Sequence, residues 1–350
     1  MNVREMLEAQ EHAVLHPQAG FSDSTQGRIR AEKPCTIRPV YQHDRDRIIH
    51  CKSFRRLMHK TQVFLSPQGD HYRTRMTHTL EVSQIARTLS SALRLNEHLT
   101  EAIALGHDLG HTPFGHAGEA VLNRLMPGGF RHVEQSVRVV ERLSREGRGL
   151  NLTREVIDGI ARHSKGKGRI LDGAEGNLPM TLEGQLVRLA DIVAYVNHDL
   201  DDAIRGRVIR LQDVPQRLLT VLGRTHSQRI NRVVKDVIAH TDLDALPRVM
   251  VGEEIEDALK EMRDFLWGQV YENPVVHDEF LKGQKMLEEL YHLFMGKPEL
   301  FQRISGQPVG ESPTQAQRAV CDFLAGMTDR YATRLFEVLF IPKPWPVRLG

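Results

Sequence analysis

Apolar positions recur at steps of three and four along almost the whole chain, the spacing of helices that turn one face to a core. His78, Val82, Ile85, Leu89 and Ala92 form one such stripe, with a histidine at its head. Val133, Val137, Val140 and Leu143 form another. Val121, Leu122 and Leu125 belong to a helix predicted to stop near Pro127-Gly128-Gly129. Thr100 is the predicted N-cap of a helix carrying Ile103, Gly106 and His107 on one side. Further helices are predicted over 182–204, 255–271, 282–295 and 315–340. No Asn-Gly or Asp-Gly turn sits between alternating runs, so strands are not expected. Glycine and proline mark long loops at 164–179 and 305–313, and Pro342, Pro344 and Pro346 forbid a helix in the tail. The pattern predicts an all-α protein: an N-terminal extension (1–40), a helical core (41–205), C-terminal helices packing on it (206–340) and a Pro-rich tail (341–350).

Composition narrows the class. The chain has 350 residues, 40% hydrophobic and 26% charged, which excludes a disordered chain, a collagen and a coiled-coil rod. No apolar run approaches the roughly 20 residues of a membrane span, so no membrane partner is expected. Residues 1–10 carry Glu5 and Glu8 and no apolar segment, unlike a secretory signal. Cys35, Cys51 and Cys321 are too far apart for a disulfide framework or a Cys-rich zinc site, and a reducing cytoplasm is expected. The net charge is only +2, but residues 28–60 hold ten Lys/Arg against Glu32, Asp44 and Asp46. That stretch is either a solvated basic face or a surface that meets phosphates.

The chemistry concentrates in one segment. Gly106-His107-Asp108-Leu109-Gly110-His111-Thr112-Pro113-Phe114-Gly115-His116-Ala117-Gly118-Glu119 places three histidines and two carboxylates in fourteen residues. Neighbouring helical residues point about 100° apart, so His107 and Asp108 can take adjacent vertices of one metal ion. His78 is a third candidate, because an unpartnered imidazole on an apolar stripe is costly. Asp191, inside the apolar run Leu189-Ala190-Asp191-Ile192-Val193, is a fourth for the same reason. Two His and two Asp without Cys suit Mn²⁺, Mg²⁺ or Fe²⁺ with open positions, rather than closed structural zinc.

The order His78, His107-Asp108, Asp191 resembles the H…HD…D pattern of HD-domain metal-dependent phosphohydrolases. The flanks narrow the likeness. Arg55-Arg56-Leu57-Met58-His59-Lys60-Thr61-Gln62-Val63-Phe64, Tyr72-Arg73-Thr74-Arg75-Met76-Thr77-His78-Thr79-Leu80-Glu81-Val82 and the 106–119 run are similar to deoxyguanosinetriphosphate triphosphohydrolases, in their bacterial dGTPase-like branch. Gly326-Met327-Thr328-Asp329-Arg330-Tyr331-Ala332 also matches. The resemblance implies an HD-domain core and cleavage of a deoxynucleoside triphosphate into deoxynucleoside and tripolyphosphate. It implies a divalent metal on His78, His107, Asp108 and Asp191, with His116 and Glu119 as the catalytic pair. Arg75 and His111, each one turn from a metal candidate, are suited to the phosphates; there is no Walker-type loop, and Arg55, Arg56 and Lys60 are further cations. By the same resemblance Gln62 and Asp199 take the 3′ hydroxyl, Tyr195 packs beneath the deoxyribose and His132 lies near the site. Val133 stands where the family has asparagine. A homo-oligomer and a dNTP activator are further implications.

Two other readings use the same residues. One is a different HD-type nucleotide phosphohydrolase; no Gly-Tyr-Pro occurs, which argues against a cyclic-dinucleotide enzyme. The other is a nucleotide-sensing or single-stranded nucleic-acid-binding protein that uses the basic 28–60 stretch.

Overall fold

The structure, a computed structural model, describes residues 1–62, 73–164, 170–171 and 177–343. Among them it is all-α: the strand-type pairing is limited to two isolated bridges, Arg28 with Thr153 and Thr61 with Thr74. The N-terminal half contains α1 (Val3–Val14), α2 (Val40–Ile49), α3 (Lys52–Arg56), α4 (Arg75–Ala92), α5 (Glu97–Gly106), α6 (Gly115–Leu125), α7 (His132–Arg138), α8 (Arg154–Arg162) and α9 (Leu182–Arg205). The remainder contains α10 (Gln216–Val221), α11 (His226–His240), α12 (Glu253–Leu266), α13 (Pro274–Gly296), α14 (Pro298–Ser305), α15 (Pro313–Ala325) and α16 (Asp329–Phe340).

The central element is α9. It is buried on nearly every face, and its buried positions include charged and polar residues such as Arg188, His198 and Asp199, which therefore need partners. The helices α4, α5, α8, α11 and α12 surround it. Caps fix where the neighbours begin. The Thr74 hydroxyl accepts from the Thr77 amide at the start of α4, and Thr181 accepts from Gly184 at the start of α9.

Two hydrophobic cores result. The larger runs from Ala19 to Tyr271 and takes in α10 to α12 along with α4, α5, α8 and α9. The smaller joins Phe114, Val121 and Leu122 of the α6 region to Leu287, Leu290 and Phe294 of α13, Phe301 of α14 and Val320 and Leu324 of α15. The helix that follows the histidine-rich segment therefore belongs to the second core.

Three predicted elements differ. Thr100 is not a cap: Asn96 caps α5, its side chain accepting from His98 and Leu99 at 3.1 and 3.3 Å. Thr100 is interior and buried, its hydroxyl 3.0 Å from both the Asn96 carbonyl and Ser90 Oγ. The helix predicted over 315–340 is two, because Gly326-Met327 ends α15 and Thr328 caps α16 by accepting from Tyr331. The helix predicted over 255–271 ends at Leu266 and finishes in a wide π turn, Trp267–Tyr271. Most of the 164–179 loop, residues 344–350 of the tail, and Val63, Phe64 and Tyr72 lie outside the described residues.

Candidate active site

Three separate elements bring the four predicted metal candidates together. His78 faces inward from the first turn of α4. His107 and Asp108 follow the last turn of α5, and Asp191 comes from the middle of α9. His78 Nε2 lies 3.1 Å from Asp191 Oδ1 and 3.8 Å from Asp108 Oδ2. His107 Nε2 lies 3.3 Å from Asp108 Oδ1 and 3.8 Å from Asp191 Oδ1. One ligand atom each from His78, His107 and Asp108 falls within 4.8 Å of the others, and a second such group is His107, His163 and Asp191.

The donor chemistry fits a divalent cation. The ring of His107 is oriented by the Ala104 carbonyl, 2.6 Å from Nδ1. A carbonyl only accepts, so the proton is on Nδ1 and a lone pair remains on Nε2. That nitrogen is buried with no hydrogen-bond partner and faces two carboxylates. Acceptors that converge on one point in a dry interior call for a positive charge between them. Burial opposes ionisation of Asp108, yet His107, His111 and Arg75 outweigh it and hold the carboxyl well below its usual range. Burial also opposes ionisation of Asp191, and its close approach to His78 holds it low as well.

Around this cluster lie the predicted phosphate residues. Arg75 is buried at the start of α4 and donates from Nη1 to Asp108 Oδ2 at 2.9 Å. Its Nε has no partner. His111 Nε2 sits 3.2 Å from Asp108 Oδ1, and its ring stacks on His132 with centroids 4.0 Å apart. Gly110 makes this turn possible: a Cβ there would fall 2.1 Å from the Ser136 amide nitrogen of α7.

His116 and Glu119 share a face of α6, but their closest approach is 4.0 Å. The firmer partner of Glu119 is His132, whose Nδ1 lies 3.0 Å and whose amide lies 2.8 Å from Oε1. Burial disfavours the ionised carboxyl, but this hydrogen bond and the His132 charge hold Glu119 far below the usual range. His116 itself is half exposed, its ring centroid 6.4 Å from that of His111 and 6.3 Å from that of Tyr271.

Of the predicted sugar residues, Tyr195 and Asp199 meet at Tyr271, and Gln62 lies beside the Gly115 turn. Gln62 is buried and its Oε1 has no partner. The Tyr195 ring lies nearly parallel to Tyr271 with centroids 6.3 Å apart. Asp199 is buried and both its oxygens are engaged, Oδ1 by His198 and Oδ2 by the Tyr271 hydroxyl.

Three neighbours escaped the sequence pattern. His163 ends α8 and packs edge-on against His107 with centroids 4.9 Å apart; burial above all pushes its pKa down to about 3. His198 sits one turn after Tyr195 on α9, and Tyr271 ends the π turn after α12. The one available signal was a histidine beside Asp199. Lone residues on helices otherwise read as core.

Four of the ten cations in the basic 28–60 stretch are ion-paired. Arg28 pairs with Glu32 at 2.9 Å and with Asp44. Arg47 pairs with Glu32 at 2.7 Å, Arg38 with Asp46 at 2.7 Å, and Arg45 with Asp46 and Glu101. Lys60 is buried, and burial pushes its pKa down to about 7. Its amine donates to the carbonyls of His111 and Ala325 and is not a free cation facing phosphate.

The Gly326–Ala332 motif has a structural task at this site. Asp329 Oδ2 accepts from the amide and hydroxyl of Thr61, and Oδ1 accepts from the Phe114 amide at 3.0 Å. One carboxylate at the start of α16 thus holds the segment bearing Gln62 and the turn that launches His116.

Family models match two stretches: an HD domain over residues 75–196 and a phosphohydrolase-associated domain over residues 249–338. A deoxyguanosinetriphosphate triphosphohydrolase-like protein from Caldanaerobacter subterraneus subsp. tengcongensis is 51% identical over 99% of this chain and 98% of its own. One from Desulfatibacillum aliphaticivorans is 50% identical over 98% of this chain and 99% of its own. The chain belongs to the deoxyguanosinetriphosphate triphosphohydrolase-like family. A solved structure of a hypothetical protein from Aquifex aeolicus aligns over 86% of this chain and 68% of that one, at 21% identity and a TM-score of 0.47. For this dGTPase-like chain, the HD match begins at Arg75 and encloses His78, His107, Asp108 and Asp191. The associated-domain match spans α12 to α16 up to Val338 and includes Asp329. An HD phosphohydrolase core and a hydrolase class follow. Among the described residues, no helix is long and apolar enough to cross a membrane.

Proposed function

We propose that this chain hydrolyses deoxynucleoside triphosphates, dGTP among them, releasing deoxynucleoside and intact tripolyphosphate. The observation that carries the reading is the convergence of His78, His107, Asp108 and Asp191 on the unpartnered His107 Nε2. Those four residues would hold a divalent cation, Mn²⁺ or Mg²⁺ by their chemistry. When bound, it supplies Lewis acidity toward the α-phosphate and acidifies water.

The chain's own residues do the rest. Arg75 and His111, both against Asp108, orient the phosphates and offset their charge. In the reaction the bond between O5′ and the α-phosphorus breaks; water's oxygen ends on phosphorus and a proton ends on O5′. His116 is the half-exposed imidazole beside the cluster and moves that proton, while Glu119 fixes His132 and adds negative charge near His116. Gln62, Tyr195 and Asp199 take the sugar, with Tyr195 rejecting a 2′ hydroxyl. The binding-only alternative loses support because Arg28, Arg38, Arg45 and Arg47 are already paired.

Incubation with each dNTP and with GTP, in Mn²⁺ or Mg²⁺, followed by ion-exchange separation, tests this. Deoxynucleoside with tripolyphosphate, and no product from GTP, is the expected result. Pyrophosphate or monophosphate would place the chain elsewhere among HD phosphohydrolases. Turnover only in nucleotide mixtures would reveal an activating nucleotide, and silence in every mixture would overturn the proposal.

A further inference from the structure

A buried chain of polar groups runs away from the cluster on the side opposite His107. His78 Nδ1 lies 2.7 Å from His198 Nε2, and His198 Nδ1 lies 2.7 Å from Asp199 Oδ1. The Tyr271 hydroxyl donates to Asp199 Oδ2. His198 and Asp199 are fully buried and His78 is 2% exposed, so water does not substitute for any of these partners.

The proton positions follow from what each atom can do. A carboxylate only accepts, so His198 Nδ1 carries the proton it donates to Asp199. With that proton on Nδ1, a neutral His198 has a lone pair on Nε2. The facing His78 Nδ1 must then be the donor, which leaves Nε2, the atom that faces Asp108 and Asp191, as the one that can offer a lone pair to a cation.

We propose that His198 is a positioning residue: anchored by Asp199, it fixes the tautomer and ring plane of His78 and so sets the affinity of the four-residue cluster for its cation. This rests on the metal reading above. It also gives Asp199 a second task, since the carboxylate assigned to the sugar is the same one that anchors His198. The two halves of the cluster then use different orienting devices, a backbone carbonyl for His107 and an imidazole–carboxylate pair for His78.

The test is a titration of the nucleotide-free protein with Mn²⁺ alone, followed by calorimetry, with no activity readout. His198→Phe fills the space but offers no acceptor, and is expected to weaken Mn²⁺ binding about 10–100-fold. His198→Gln offers an oxygen to His78 and an N–H to Asp199, and is expected to restore affinity to within about 5-fold. Asp199→Asn, which no longer forces the His198 tautomer, is expected to fall between them. Circular dichroism and melting temperature confirm that each variant is folded; if His198→Phe is not, the His198→Gln and Asp199→Asn pair carries the test. Equal Mn²⁺ affinity in wild type, His198→Phe and Asp199→Asn would overturn the proposal, as would a His198→Gln as weak as His198→Phe. A wild-type protein that binds no Mn²⁺ overturns the metal reading itself, which is a different outcome from an unaltered series.

Discussion

At the scale of single residues, position and role separate cleanly around His116. It is half exposed and absent from the groups of ligand atoms that close on one point. His116→Ala is therefore expected to cut dNTP turnover by about 10²-fold or more while leaving Mn²⁺ affinity unchanged, measured by steady-state kinetics beside calorimetry. Weakened metal binding in that variant would put His116 among the ligands instead. The other informative residue is Glu183, which accepts from the amides of Gly20 and Asn96 at 2.9 and 3.0 Å while its Oε2 has no partner. Burial raises its pKa above the ordinary 4.5. A carboxyl with a raised folded value holds its proton more tightly when folded, so its contribution falls as pH rises from 4.5 toward that value. Glu183→Gln keeps an oxygen for both amides and removes the charge. Its stability relative to wild type is expected to improve between pH 5 and pH 8, read from urea unfolding at the two values; a constant difference would contradict the burial argument.

At the scale of elements, close approach fixes the histidine-rich turn. A methyl group at Gly110 would meet the backbone of α7, and overpacking of this kind costs about 1–3 kcal/mol. Gly110→Ala is expected to lower the melting temperature by several degrees and to weaken Mn²⁺ binding with it, since His107 and His111 flank the displaced residue; an unshifted melting curve would show that α7 yields instead. The sequence exposed part of this architecture and concealed the rest for physical reasons. That His78 and Asp191 meet His107 and Asp108 was legible because an ionisable group inside an apolar run needs a partner, and the adjacent pair in the histidine-rich segment offered one. The all-α class was legible from periodicity. Thr100 misled because threonine serves equally as a cap and, with its hydroxyl bonded back to Asn96, as an interior residue. The break at Gly326 was hidden because α15 and α16 keep apolar spacing on both sides of it. His163, His198 and Tyr271 carried no signal of their own, since their meaning comes from residues distant in sequence.

At the scale of the whole molecule, the histidine-rich turn passes from one hydrophobic core to the other, Leu109 lying in the larger and Phe114 and α6 in the smaller. Phe114, Val121 and Leu122 have their partners in α13 to α15, although the candidate ligands all lie earlier in the chain. A chain ended after Asn273 retains His78, His107, Asp108 and Asp191 but uncovers that face. It is expected to bind a hydrophobic dye strongly, to aggregate and to show no dNTP hydrolysis, measured by dye fluorescence and the tripolyphosphate assay. A soluble, active product would show that the smaller core is dispensable. The carboxylate of Asp329 carries this dependence to its end. Because it holds both Thr61 and Phe114, the site is closed only once α16, downstream of every candidate ligand, is in place. A chain still on the ribosome therefore possesses every candidate ligand long before it possesses an assembled site.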